Sequence, residues 1–522
     1  MTPITRRQLL AGAAGAAAGV AAVAPAPSAA AATLLTDAVS TPVDVLVIGS
    51  GYAGSVAALR LSEAGLSTVV LERGRRWTIT SAHDTFATVN AIDGRAAWLS
   101  RTSPLASKVL PTFAGVLEAY VGIGVVCLAG AGVGGGSLVN NAVMMQPRQD
   151  LFTRTFGNSL SWTEMDGTWY PRARDLIGVS PVPADVLASP AYANAREFIA
   201  EARAAGLTVV LPDMAMNWDV VRQELAGTIP ASATVGDSIL GINSGAKRSV
   251  DGTIMARAEA TGRTQVLPLH IVRRIAAAGG RYTVTADRID ESGAVRETVT
   301  FSARWVFLAA GSLGTTRLLV ESRANGLLPG MTAAVGTRWG TSGDHVVLRG
   351  GIPAPSAAQG GPANAVITDW DNPVSPITLL NFPLGVQALA GKVREMLAVG
   401  APPPIGSWSY SGLIRKAVLT WPALDPRVLT TTTAVTQTAA TLDKAASGIN
   451  VSASLAALTS HSLGGAALGV ACGDDGQVAG CPGLFVVDSA LVPGAAGAVP
   501  PALTVTALAD RTMSKALPRL TA

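Results

Sequence analysis

Apolar and polar positions follow two rhythms along this chain. The run Val43-Asp-Val-Leu-Val-Ile48 is apolar on both sides of its pleat and predicts a buried parallel strand. A glycine turn follows. Tyr52 to Ala64 then repeats its apolar residues at helical spacing and closes on Gly65, and Ser67 to Glu72 reads as a second strand. Residues 43–72 are thus a complete βαβ opening. Ala303 to Ser322 repeats the order strand, glycine turn, helix. Gly280 to Ala286 and Arg296 to Phe301 alternate strictly and predict an antiparallel pair. Between Leu151 and Asn243 the texture is helical with Pro-rich connections, and from Thr332 to about Leu455 it is mixed strands and loops. GLFVVDSALVP and LTVTALADRTMSKAL predict a last strand, a loop and a closing helix.

The first glycine turn carries chemistry. Gly49-x-Gly51-x-x-Gly54 lies between strand and helix, the arrangement in which a pyrophosphate rests on a helix N-terminus. Gly49 permits the tight turn, Gly51 lets backbone approach the ligand, and Gly54 lets helix pack on strand. Tyr52 and Ala53 open that helix. Glu72 ends the second strand, where a carboxylate binds a ribose hydroxyl pair and repels the 2′-phosphate of NADP. The motif alone does not separate FAD from NAD. The second glycine block, Gly130 to Gly136, and the turn Ala309-Ala-Gly-Ser-Leu-Gly314 predict a cofactor touched along its length, which favours FAD.

Composition narrows the class. Of 522 residues 49% are hydrophobic, 14% are charged and 56 are glycine, which describes a globular chain. Thr5-Arg6-Arg7-Gln8-Leu9-Leu10, a mild Ala/Gly run and small residues around Ala29 to Ala32 predict a cleaved twin-arginine leader over residues 1–32, hence export. An exported enzyme would lose a diffusible nicotinamide, whereas a flavin is retained. The formal charge of +4 becomes about +2 without Arg6 and Arg7, and gives no case for nucleic-acid binding. Cys127, Cys472 and Cys481 make no disulfide framework and no metal spacing. Cys472 and Cys481 bracket GDDGQVAG and either form a local disulfide or stay as thiols.

Four histidines occur: His83, His270, His345 and His461. His461 sits in TSHSLGG, late in an apolar chain, and reads either as a core histidine or as a catalytic one. His345, in GTSGDHVV, reads as structural, and His83 and His270 as surface or packing residues. Trp98, Leu99, Leu105, Leu110 and Phe113 serve either as a lid over an apolar substrate or as core.

VIGSGYAGSVAALRLSEAG with VVLERG, GAGVGGGSLVNN, FLAAGSLGTTRLLV, SHSLGG, VAGCPGLFVVDSALVPGAAG and TVTALADR occur in order from about Val43 to Leu517. The set resembles the glucose–methanol–choline (GMC) oxidoreductases, and within them the bacterial cholesterol oxidases with non-covalent FAD. The resemblance implies flavin-cradling backbone at Gly134, Gly135, Ser137 and Asn140, further cofactor contact at Gly311, an adenine-side contact at Val272 and an acidic residue beside the flavin at Asp488. It makes His461 the catalytic residue, binding the substrate hydroxyl and removing its proton while the carbinol hydride moves to the flavin. It also implies O2 as acceptor, a sterol or other apolar alcohol as substrate, transient contact with a lipid surface and a monomer.

Two departures stand out. The family's histidine has an Asn or His partner in the C-terminal turn, where this chain has Val499 or Pro500, depending on the side from which the turn is aligned. The glutamate associated with isomerisation in the cholesterol oxidases is matched by Leu380, which carries no proton. The implied activity is therefore a sterol oxidase with isomerisation in doubt. The alternatives are a dehydrogenase using another acceptor on another apolar alcohol, and a flavin- or sterol-binding protein impaired in catalysis.

The fold class expected is α/β: a discontinuous Rossmann-like FAD domain beside a substrate domain on a mixed or antiparallel sheet with helices. The FAD domain takes residues 42–150, with a lid-like insertion at about 76–115, then 244–331 and 461–522. The substrate domain takes 151–243 and 332–460.

Overall fold

The computed structural model describes residues 41–521, apart from 104, 106, 107, 353, 354, 447, 448 and 452–457. The leader of residues 1–32 lies outside the described residues.

Two sheets organise the molecule. In the first, strands run in the order Thr264–Leu267, Thr68–Leu71, Thr41–Ile48, Val295–Leu308, Arg281–Ile289 and His270–Ala278. Leu484–Val486 joins the C-terminal end of Val295–Leu308 in parallel. The strands up to Val295–Leu308 pair parallel, and the last two turn back antiparallel. Val45, Leu46 and Val47 are fully buried, as a strand covered on both faces requires. Helices Tyr52–Glu63 and Ala502–Thr521 pack on one another over this sheet. Their contact is pinned at Asp510, whose carboxylate takes Arg60 at 2.6 Å and Arg172 at 2.8 Å.

The second sheet is antiparallel throughout: Ile449–Val451, His345–Gly350, Val393–Gly400, Ile377–Asn381, Val366–Asp369 and Val209–Val210. Side chains of a strand alternate between faces. Val347, Ile367, Ile377, Leu379, Met396 and Ala398 therefore pack on helices Ala193–Ala204 and Pro426–Ala446. Val366, Leu380, Phe382 and Leu397 point the other way, into the main core. On the helix side two fully buried guanidiniums, Arg349 and Arg394, share the carboxylate of Glu201.

Two readings of the sequence are resolved here. Cys472 and Cys481 are free thiols, as is Cys127. The hairpin between them sets Cys472 opposite Val478, which leaves Cys481 beyond the register and without a facing sulfur. The lid candidates are packing residues. Leu105, Leu110 and Phe113 join Trp77 and Phe86 in one small core, and Trp98 and Leu99 join Ile271 and Ile289 in another.

Candidate active site

A single continuous cavity runs from the first glycine turn to the apolar face of the second sheet, and most of the sequence-predicted site residues open onto it. Gly49 takes a positive φ of 103°, and a Cβ there would meet the Ala309 oxygen at 2.3 Å. A Cβ on Gly54 would meet the Gly49 oxygen at 2.0 Å, so this glycine lies behind the cavity and serves helix–strand packing. Gly51 differs: the nearest protein atom to its Cβ position is 3.9 Å away. Nothing in the protein demands glycine there, whereas a ligand lying on the turn does. Tyr52 and Ala53 begin the helix, whose N-terminus has no side-chain cap and no acidic residue in its first turn. Its amide groups and positive dipole end are available to an anion.

Glu72 stands beside this turn, buried, with Oε2 accepting from the Ser50 hydroxyl at 2.6 Å and Oε1 from the Gly74 amide at 2.8 Å. These bonds hold the carboxylate in place on the cavity wall. Val272 lies further along, next to His270, whose Nδ1 pairs with the Pro268 carbonyl at 2.7 Å. His270 thus lines the cavity instead of the surface. The second glycine block closes over the first turn, and a Cβ on Gly135 would stand 2.8 Å from the Gly51 Cα. Asn140 lines the cavity and donates to the Tyr52 hydroxyl at 2.8 Å. Burial pushes the Tyr52 hydroxyl well above the ordinary tyrosine pKa. Gly134 and Ser137 stand one layer back: the Ser137 hydroxyl donates to Gly134 O at 2.7 Å and accepts from Val250 N at 3.0 Å. They shape the loop without facing the cavity.

At the other end of the cavity, Asp488 accepts from the amides of Gly311 and Ala490, each at 2.8 Å, and from the Thr315 hydroxyl. Burial raises its carboxyl to about 6. His461 lines the same cavity and is partly open to it, with its Nδ1 2.7 Å from Asp344 Oδ1. Asp344 is itself buried, and its Oδ2 accepts from Ser460 N at 2.7 Å, Thr459 Oγ1 at 3.1 Å and Ser460 Oγ at 3.2 Å. The sequence reading missed Asp344. Its only local signal is an acid in the otherwise apolar stretch GTSGDHVV, next to the histidine that drew attention instead.

A family model described as FAD binding domain matches residues 44–97, and one described as GMC oxidoreductase matches residues 370–509. Both matched segments support the likeness to the GMC oxidoreductases that the motifs carry. It is 28% identical over 322 residues to a cholesterol oxidase of Mycobacterium tuberculosis, covering 58% of this chain and 52% of that one. A cholesterol oxidase of Acinetobacter baumannii is 26% identical over the same length, with 58% and 55% covered. The chain therefore spans about half the length of the curated relatives it matches. The fold is shared with the solved pyridoxine 4-oxidase from Mesorbium loti, at a TM-score of 0.59 and 16% identity over 91% of this chain and 99% of that one.

The cofactor is FAD, and the cradle fits it. Gly51 and the uncapped helix suit the pyrophosphate, Glu72 the ribose, and Gly135, Asn140, Gly311 and Asp488 the remainder. The same cavity carries apolar wall at Leu380, Phe382, Leu397, Pro500 and Val505. Pro500 lines the cavity, whereas Val499 is fully buried in the core. His345 also lines the cavity, but both its nitrogens are committed, to Gly343 O and to Thr432 Oγ1, each at 2.8 Å. Burial lowers its pKa and favours the neutral ring. His83 holds the Asn243 carbonyl at 3.2 Å and stands outside the cavity.

Proposed function

We propose that this chain is an exported alcohol oxidase of the cholesterol-oxidase type, which converts a 3β-hydroxysteroid to its ketone and reduces O2 to H2O2. The observation that carries this reading is one cavity lined by the FAD cradle, by His461 and by the apolar residues Leu380, Phe382, Leu397, Pro500 and Val505. FAD, held by the Gly51 turn, Glu72, Gly135, Asn140, Gly311 and Asp488, would supply the acceptor for the carbinol hydride and the reductant for O2. The residues of the chain do the rest. His461 receives the hydroxyl proton as the carbinol C–H bond breaks. The apolar residues hold the body of the alcohol, and at about 25 cal/mol per Å2 its burial supplies most of the binding energy. Leu380 offers no proton carrier, so the reaction stops at the ketone. Export rests on the Arg6-Arg7 leader, and a substrate drawn from a lipid phase suits an extracytoplasmic enzyme.

The test is anaerobic mixing of the yellow protein with 3β-hydroxysteroids and other apolar alcohols while the flavin spectrum is followed. The reading expects bleaching by a sterol and stoichiometric H2O2 when air is admitted. Bleaching with negligible oxygen uptake would mark a dehydrogenase, and a flavin that no alcohol reduces would overturn the oxidase reading.

A further inference from the structure

We infer that Asp344 is a positioning residue that fixes the tautomer of His461. The inference deepens the proposed alcohol chemistry and rests on it for the direction of proton flow. Neither nitrogen of a neutral imidazole is intrinsically the base; the hydrogen bond made by one decides what the other offers. A carboxylate accepts only, so Asp344 Oδ1 at 2.7 Å requires a proton on His461 Nδ1. That leaves the Nε2 lone pair for the alcohol hydroxyl. The pair comes from distant parts of the chain: Asp344 immediately precedes the strand His345–Gly350, and His461 follows the strand Leu458–Thr459.

Asp344 cannot turn over to release His461. The Ser460 main-chain N–H, an obligatory donor, sits 2.7 Å from its Oδ2, with the Thr459 and Ser460 hydroxyls behind. The same lock predicts what an amide would do. In Asp344→Asn the side-chain oxygen must take the Oδ2 position to satisfy Ser460 N–H, so the NH2 group faces His461 Nδ1. His461 then carries its proton on Nε2 and donates toward the alcohol where it must accept. Shape is kept and the base is lost. Asp344→Ala leaves Nδ1 to water and permits both tautomers, so the alanine variant retains more of the proton-accepting form than the asparagine variant. A residue that merely braced the loop would give the opposite order, because asparagine keeps the bonds to Thr459 and Ser460 and alanine loses them.

The experiment has two arms on the FAD-loaded full chain. In the first, 15N-labelled histidine is read by NMR, with the His461 resonance identified through His461→Gln. The wild-type ring is expected protonated on Nδ1 and the Asp344→Asn ring on Nε2. In the second arm the rate of anaerobic flavin reduction by the best alcohol of the sterol panel is measured. Asp344→Asn is expected to fall roughly 100- to 10,000-fold, the range of a general base or of a mis-set tautomer. Alcohol affinity, FAD content and Tm should stay near wild type, and Asp344→Ala should be faster than Asp344→Asn. A wild-type ring protonated on Nε2, or an Asp344→Asn rate equal to wild type, overturns the assignment; so does an alanine variant slower than asparagine. If no alcohol bleaches the wild-type flavin the oxidase reading fails, while the NMR arm still decides the role of Asp344.

Discussion

A Cβ placed on Gly54 would stand 2.0 Å from the carbonyl oxygen of Gly49, a main-chain atom that cannot swing aside. Gly51, three residues earlier, has nothing nearer than 3.9 Å. The same motif thus holds one glycine for the protein and one for the ligand. Gly54→Ala should lose soluble folded protein or several degrees of Tm, because overpacking against rigid backbone costs on the order of 1–3 kcal/mol or more. Gly51→Ala should fold with a Tm near wild type and release FAD at least tenfold more readily. Thermal melts of the apo forms with FAD titrations separate the two.

Glu72 is held by Ser50 and Gly74 before any ribose reaches it. Hydrogen bonds to a charged acceptor contribute about 1.5–3 kcal/mol. Glu72→Ala should therefore weaken FAD binding by roughly ten- to a hundredfold, measured by calorimetry on the apoprotein. An unchanged affinity would remove Glu72 from the cofactor site.

Glu395 is fully buried on the strand Val393–Gly400, and neither carboxyl oxygen has a hydrogen-bond partner among the described residues. Burial raises its pKa to about 7 from the ordinary 4.5. The sign follows from linkage: the folded state holds this proton more tightly than the unfolded chain does. Its stabilising effect is complete below about 4.5 and is lost as pH rises through about 7. The loss is on the order of 3 kcal/mol. Glu395→Gln cannot ionise, so its stability should be flatter between pH 5 and 8 than wild type. Urea unfolding at a series of pH values is the measurement, and parallel curves for the two proteins would refute it.

Leu380 lines the cavity on the face that Leu397 and Phe382 share. With no carboxyl at that position, oxidation of a 5-ene-3β-hydroxysterol should leave the 5-en-3-one as the main product. Rapid appearance of the conjugated 4-en-3-one, followed by its ultraviolet absorbance, would contradict this.

Glu201 joins Arg349 at 2.7 Å and Arg394 at 2.5 Å, both guanidiniums being fully buried between the second sheet and its helices. Without Glu201, Arg349 keeps Asp443 and Arg394 keeps Glu197, each at 2.8 Å, so the cost is that of lost charged hydrogen bonds, about 1.5–3 kcal/mol. Glu201→Ala should lower the midpoint of urea unfolding accordingly, and a midpoint within experimental error of wild type would exclude the buried network as a source of stability.

Local pattern carried much of this protein. The βαβ opening, the antiparallel pair at 281–303, the roles of Gly49 and Gly54 and the cavity-facing position of Glu72 were all legible, because each depends on residues within a few tens of positions. The place of His461 on the cavity wall was legible through its motif. The free thiols of Cys472 and Cys481 were not, since a hairpin register decides which side chains face each other. Nor was the placing of Pro500 on the cavity and of Val499 in the core, which depends on the direction in which a turn presents its residues.

By itself, then, the sequence determined the elements, the phosphate turn and the histidine, where hydrophobic period and glycine sterics act over short spans. Only the tertiary structure decided what stands next to that histidine. Asp344 lies 117 residues away, and a hydrogen bond of 2.7 Å between two such groups exists only because the second sheet delivers one edge of its strand His345–Gly350 to the cofactor cavity.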